Sequence, residues 1–217
     1  MIDGVHIWRA ALDEAGWPGP ERLPAHERDR ASSFLREEAC RRWVAARWAL
    51  RRVLAGYLDE PPAAIEIELG RGGKPRLRGS RAVEFNLSHS GGLALVAVTE
   101  GREIGVDVEM VDPGRDLADL ARRALPEDAV LAVEAAREPE RAAVFYAAWT
   151  RHEASVKCLG TGLAGNGGRR PSISGGRDRR LDEPAVENLD VAPGYAAAVA
   201  VAAPEVGPVD CRSLRAG

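Results

Sequence analysis

Hydrophobic and polar positions change period several times along the chain, and each change marks an element. Val5 to Trp8 reads as a first strand, after which Trp43, Ala46, Leu50, Val53, Leu54 and Tyr57 recur at helical spacing. They predict a helix of about four turns, stopped by Pro61-Pro62. Ile65, Ile67 and Leu69 alternate with Glu66 and Glu68; beyond the loop Arg71-Gly72-Gly73-Lys74-Pro75, the positions Val83, Phe85 and Leu87 predict another half-buried strand. Leu93 to Val98 is continuously apolar, the mark of a strand covered on both faces. Turns at Gly91-Gly92 and Glu100-Gly101 then predict an antiparallel meander that ends in a strand through Ile104, Val106 and Val108.

The second half repeats this plan. A helical pattern covers Leu117 to Leu125, a further helix follows Pro126, and a long helix carrying Phe145, Ala148, Trp149 and Val156 ends near Leu159, with sheet beyond it. Trp43-Val44-Ala45-Ala46 and Phe145-Tyr146-Ala147-Ala148 stand as helix openings about a hundred residues apart, and Leu93 to Thr99 is echoed by Tyr195 to Ala203. From Ala164 to Pro184 the chain turns to Gly, Arg and Pro with little periodicity, which predicts a loop. The expected fold class is α/β (α+β): a pseudo-dimer of two similar halves, residues 1–103 and 104–217, each a small, mainly antiparallel sheet packed with a long helix.

Composition narrows the setting. With 217 residues, 45% of them hydrophobic, the chain can bury a core of its own. The N-terminus has no basic lead, and no segment approaches the ~20 apolar residues of a membrane span, so a cytoplasmic location is expected, with no membrane partner. Cys40, Cys158 and Cys211 lack zinc spacing and fit thiols in a reducing compartment. A net charge of −3 argues against non-specific nucleic-acid binding, and a monomer is expected. Between Arg28 and Arg52, however, eight arginines stand against Asp29, Glu37 and Glu38, a local +5 that leaves −8 for the rest. Such a stretch is either a solvated helix face or an anion-binding edge.

Two segments carry candidate chemistry. In Gly105-Val106-Asp107-Val108-Glu109 the alternation projects both acids from one strand face, about 7 Å apart. In the long helix, Glu153 and Lys157 stand one turn apart at the border of the apolar stripe. Taken alone, that pair reads as a solvated ion pair worth about 0.3 to 0.5 kcal/mol. The lysine census adds weight: of 30 basic residues only Lys74 and Lys157 are lysine, so both are candidates for tasks that suit a compact ammonium. Strand carboxylates beside a helical Glu/Lys edge suit Mg²⁺ and a polyphosphate, because that ion prefers oxygen ligands. Arg71-Gly72-Gly73-Lys74 offers flexible backbone and two cations to a phosphate, and Asn86-Leu87-Ser88-His89-Ser90-Gly91 ends a strand with hydroxyls and an imidazole. A serine-hydrolase triad of Ser88, His89 and Asp107 is rejected, since neighbours on a strand point to opposite faces and no nucleophile elbow is present.

Taken in order, Gly-Lys-Pro (73–75), Asn-Leu-Ser-His-Ser (86–90), Gly-Val-Asp-Val-Glu (105–109) and Trp-Thr-x-x-Glu-Ala-x-x-Lys-x-x-Gly-x-Gly-Leu (149–163) resemble the Sfp-type 4′-phosphopantetheinyl transferases. The resemblance implies coenzyme A bound between two α/β halves, the N-terminal half holding its phosphates and the C-terminal half the metal and catalytic groups. It implies Mg²⁺-dependent transfer of 4′-phosphopantetheine from coenzyme A, as substrate, to a serine of an acyl or peptidyl carrier protein, as in polyketide or non-ribosomal peptide biosynthesis, with release of adenosine 3′,5′-bisphosphate. By motif position it assigns Asp107, Glu109 and Glu153 to Mg²⁺, and Glu153, Lys157 and Asp107 to catalysis. Arg42, Arg71, Lys74, Ser88, His89 and Lys157 fall where the family contacts coenzyme A. The alternative is a weakened homologue that binds coenzyme A or carrier protein without efficient transfer. His152 stands where the family has lysine, and Arg123-Ala124-Leu125-Pro126 replaces a phenylalanine-rich turn.

Overall fold

The computed structural model describes residues 2–79, 82–114, 116–160 and 183–217; the predicted loop from Ala164 to Pro184 lies almost wholly outside the described residues. In chain order the elements are β1 (Val5–Ala11), α1 (Ala25–Ser32), α2 (Glu37–Leu58), β2 (Ile67–Leu69), β3 (Pro75–Leu77), β4 (Val83–Ser90) and β5 (Leu93–Glu100). There follow β6 (Ile104–Met110), α3 (Leu117–Ala124), α4 (Glu127–Ala135), α5 (Glu140–Leu159), β7 (Ala185–Leu189), β8 (Tyr195–Val201) and β9 (Val209–Leu214). No helix among the described residues is long and apolar enough to cross a membrane.

The repeat seen in the sequence is a repeat of topology. β1 leads into helices and returns as the hairpin β4–β5, whose second strand pairs antiparallel with β1. β6 likewise leads into helices and returns as β7–β8, whose second strand pairs antiparallel with β6. The sheets therefore read β4-β5-β1 and β7-β8-β6, with matching connectivity. The echoing segments Leu93 to Thr99 and Tyr195 to Ala203 fall on β5 and β8, the middle strands of these two arrangements. β9 then adds parallel to β1, so the last strand of the chain closes on the first sheet.

Strand alternation sorts side chains into layers. Val5, Ile7, Leu93 and Leu95 of the first sheet meet Val106, Val108, Val199 and Val201 of the second in a core between the sheets. On the outer faces, Ala45, Ala46 and Ala49 of α2 lie on Ala10 and Ala94, while Leu50, Val53 and Leu54 cover Phe85, Val96 and Val98. Ala154 and Cys158 of α5 lie on Ala198 and Ala200. The layers run helix, sheet, sheet, helix, which is why β5 is apolar on both faces. Small residues let each helix approach its sheet closely. At Gly105 there is no room for a side chain: a Cβ would run into the Ala154 carbonyl and the Cys158 amide, and would stand 3.0 Å from Cys158 Cα.

Three expectations are corrected. The meander stops at β5, because β6 pairs with β8 in the second sheet and only abuts β4. Its outward amides are taken by side chains: Val106 N–H donates to Asn86 Oδ1 at 3.0 Å, Val108 N–H to Ser88 Oγ at 3.4 Å and Met110 N–H to Ser90 Oγ at 3.1 Å. Alternate β4 side chains thus stand where a neighbouring strand's carbonyls would be, and the seam between the halves is a side-chain seam. Second, the helix expected at about four turns is α2 with 22 residues, extended at its start by a polar turn beginning Glu37-Glu38 that carries no apolar signal. Third, the arginine-rich stretch is not uniformly solvated: Arg51 is fully buried, its guanidinium bonded to both Glu27 oxygens and to the carbonyls of Pro62 and Ile65.

Candidate active site

The close passage of α5 over Gly105 sets what lies next to it. Glu153 and Lys157 occupy the turns of α5 that flank Ala154 and Cys158, so they come down beside Asp107 on β6. Lys157 Nζ donates to Asp107 Oδ1 at 2.6 Å, to Ser88 Oγ at 3.0 Å and to the Val106 carbonyl at 3.3 Å. Ser88 Oγ donates in turn to Asp107 Oδ1 at 2.9 Å, while accepting from Lys157 and from Val108 N–H. Its one hydrogen and both lone pairs are therefore engaged. The strand face that carries the acids is covered by α5 rather than open, so Asp107 is only 3% exposed and Glu109 partly buried. Sequence alternation alone cannot tell a solvated polar face from one beneath a helix.

The acids form an electrostatically linked set. Burial pushes the Glu153 carboxyl above its ordinary pKa, the Asp107 and Glu109 charges add to that, and Lys157 opposes it. Glu153 Oε1 and Asp107 Oδ2 are both buried without a hydrogen-bond partner. Among the described residues no group of three or more His, Cys, Asp or Glu is drawn into a ready-made metal cage. What is preformed is a pair of orphaned carboxylate oxygens in a locally anionic setting, and that donor set fits a hard, oxygen-seeking cation.

Beside this cluster lies a cleft of about 570 Å³ that wraps the edge of β4. Trp43, Leu69 and Leu87 give it apolar walls; Arg30 and Arg47 bring guanidinium groups to it, Arg47 paired with Glu27. Ser88, His89 and Lys157 line its end, so two residues bonded to Asp107 also face the cleft. Ser88 and His89 point to opposite faces of β4, as strand alternation requires. Burial and then the Lys157 charge lower the His89 pKa, favouring a neutral imidazole.

Arg42 and Lys74, also singled out in the sequence, do not line this cleft. Arg42 is held by Asp13 through two bonds of 2.8 and 2.7 Å and by Glu38 at 2.8 Å, and lines a second cavity between α2 and the loop after β1. Lys74 Nζ pairs with Glu103 and donates to the Cys158 carbonyl at 3.3 Å, at the last turn of α5. Arg71 lies on the short turn Arg71–Gly73, and its side chain falls outside what is described. Sequence reasoning missed Glu27, 3% exposed, which binds Arg47 and Arg51. Burial disfavours the charged form of Glu27, but the Arg51 and Arg47 guanidinia outweigh it and hold the pKa below its ordinary value. Their signal was the excess of arginine on α2, which could be sorted only by knowing which face is covered. Ser90, whose hydroxyl the sequence offered to an anionic ligand, is bonded to Glu109 Oε2 at 2.7 Å.

Comparison with known proteins addresses each half separately and then both together. Residues 17–101 match the profile described as 4′-phosphopantetheinyl transferase, N-terminal, and residues 103–187 match that of the 4′-phosphopantetheinyl transferase superfamily. The 4′-phosphopantetheinyl transferase HetI of Nostoc sp. is 38% identical over 177 residues, covering 76% of this chain and 72% of the relative. AcpT of Escherichia coli, named as a 4′-phosphopantetheinyl transferase, is 32% identical over 155 residues, covering 71% and 74%. A 4′-phosphopantetheinyl transferase of Bacillus subtilis is 28% identical over 142 residues, covering 65% and 62%. Matching on both sides of the β4–β6 seam, with the acid pair on one side and the cleft on the other, the chain belongs to the 4′-phosphopantetheinyl transferase superfamily.

Proposed function

We propose that this chain transfers the 4′-phosphopantetheine group of coenzyme A to a serine hydroxyl of an acyl or peptidyl carrier protein, in a Mg²⁺-dependent reaction that releases adenosine 3′,5′-bisphosphate. The observation that carries this reading is that Ser88 and Lys157 belong both to the cleft and to the acid cluster. A nucleotide whose phosphate lies against Arg30, Arg47 and His89 would present its pyrophosphate to Lys157 and the acids. The N-terminal half, residues 1–103, supplies most of the cleft, and the C-terminal half, residues 104–217, supplies the carboxylates.

Asp107, Glu109 and Glu153 would hold the ion, two of them through the oxygens the fold leaves unpartnered. When bound, Mg²⁺ neutralises charge on the pyrophosphate and on the departing phosphate. Lys157 adds a fixed cation at the same place. Glu153, beside Asp107 and Lys157, is placed to take the serine proton, directly or through a water. The serine Oγ–phosphorus bond forms, and the phosphorus–oxygen bond to the bisphosphate breaks. The test is to incubate the protein with Mg²⁺, coenzyme A and apo-carrier domains of fatty-acid, polyketide and non-ribosomal peptide type. The expected result is a phosphopantetheine mass gain on the carrier serine; no gain on any carrier would overturn the proposal.

A further inference from the structure

Ser90 has no part in the reading above, yet it repeats the contacts of Ser88. β4 presents Ser88 and Ser90 two residues apart, and β6 presents Asp107 and Glu109 two residues apart, so one arrangement occurs twice. Ser88 Oγ accepts from Val108 N–H at 3.4 Å and donates to Asp107 Oδ1 at 2.9 Å. Ser90 Oγ accepts from Met110 N–H at 3.1 Å and donates to Glu109 Oε2 at 2.7 Å. Asn86, accepting from Val106 N–H, is a third member at the same spacing and fixes the register of the seam. In each serine the amide claims a lone pair, which turns the hydroxyl hydrogen toward the carboxylate of the preceding β6 residue. A carboxylate held by one oxygen can no longer rotate freely about its terminal bond, and its second oxygen takes a defined place. On Asp107 that second oxygen is buried and unpartnered.

We propose that Ser90 is a positioning residue for the cation site: by holding Glu109 Oε2 it presents the Glu109 carboxylate for ligation, as Ser88 does for Asp107. The inference rests on the metal reading given under the proposed function. Hydrogen bonds that orient a ligating side chain are typically worth about 10- to 100-fold in metal affinity.

The experiment compares wild type, Ser90→Ala and Ser90→Thr by calorimetric titration with Mg²⁺, by the Mg²⁺ dependence of transfer and by thermal melting in EDTA. Ser90→Ala is expected to weaken Mg²⁺ binding about tenfold, with kcat at saturating Mg²⁺ within about threefold of wild type and the melting temperature in EDTA little changed. Ser90→Thr, which keeps the hydroxyl, is expected to restore the affinity. A loss of melting temperature with unchanged Mg²⁺ affinity would make Ser90 a seam residue only and overturn the inference. If Ser90→Ala does not fold, Ser90→Cys carries the same comparison, with an intermediate loss expected from its weaker donor and wild-type affinity overturning the inference. A wild-type protein that neither binds nor needs Mg²⁺ overturns the metal reading and this inference together. A Mg²⁺-dependent wild type beside an unaffected Ser90→Ala overturns this inference alone.

Discussion

A half-buried carboxyl beside two other carboxylates costs folding free energy whenever it ionises, and Glu153 is such a group. Its folded pKa lies above the ordinary 4.5, so between those two values the folded chain holds a proton that the unfolded chain has released. Stability therefore falls as pH rises through that window and stays lowered above it. Glu153→Gln is expected to raise the melting temperature in EDTA at about pH 7 and to match wild type at about pH 3, where both states are protonated. The same variant is expected to lose transfer by about 100-fold or more. Melts at the two pH values decide it: equal stability at neutral pH would mean that the carboxyl carries no penalty. His152 poses the opposite question, because the family resemblance places a lysine there. The ring is 7% exposed within α5, so His152→Lys would have to bury an ammonium and is expected to cost roughly 1 to 3 kcal/mol, with no gain in kcat/KM at about pH 8 over about pH 6. Urea unfolding and the paired pH profiles measure both effects. A stable variant with raised kcat/KM at high pH would instead make the position electrostatic. At this scale the sequence discloses acids and lysines, which stand at periods of two and four, but not Glu27 with Arg51 or Ser90 with Glu109. Those pairs depend on strand and helix neighbours that spacing along the chain does not identify.

Elements were legible where periodicity was strong and ambiguous where it could serve two partners. α5 ends where its apolar stripe ends, at Leu159, with Gly160 in a left-handed conformation (φ 63°) that glycine tolerates. The alternation of β6, in contrast, fits a fourth meander strand as well as the first strand of a new sheet; the choice is made by Asn86, Ser88 and Ser90, which cap its free amides. Gly105 is the element-scale residue that counts most for the site, since the α5–β6 contact on either side of it brings Glu153 and Lys157 to Asp107. Gly105→Ala forces the helix off the strand and is expected to destabilise the fold by about 1 to 3 kcal/mol. Transfer is expected to fall about tenfold or more even where the variant is fully folded, because a misplacement near 1 Å is costly to catalysis. Nucleotide affinity is expected to fall less than transfer, since Arg30, Arg47 and His89 lie on α1, α2 and β4 rather than on the displaced α5. Chemical denaturation, calorimetry with coenzyme A and a carrier assay separate the three effects; a loss confined to nucleotide binding would show that α5 is not what Gly105 positions.

For the whole molecule, the two halves were visible in the sequence as recurring helix and strand segments, and the matching strand orders β4-β5-β1 and β7-β8-β6 give that recurrence its meaning. The closing pairing of β9 with β1 was not visible, because Val209 to Leu214 offers only a short, largely polar run and its partner lies two hundred residues away. The arrangement joins a basic cleft in one half to carboxylates in the other, so a ligand that fills the cleft also bridges the seam and stabilises the folded state as a unit. Coenzyme A with Mg²⁺ is expected to add about 2.7 kcal/mol of stability at a hundred times its Kd, and 3′-dephospho-coenzyme A is expected to add less at equal concentration. The fold makes a finer distinction among the basic residues. Arg42 is already bonded to Asp13 and Glu38 and lines the other cavity, whereas Arg30 and His89 face the cleft. Arg30→Ala or His89→Ala is therefore expected to shrink the difference between the two ligands, and Arg42→Ala to leave it intact. Thermal shifts of the four proteins with each ligand provide the check. If Arg42→Ala alone abolished the difference, its ion pairs would have to open on binding, and the nucleotide would lie against α2 on the side of Asp13 rather than in the cleft beside His89.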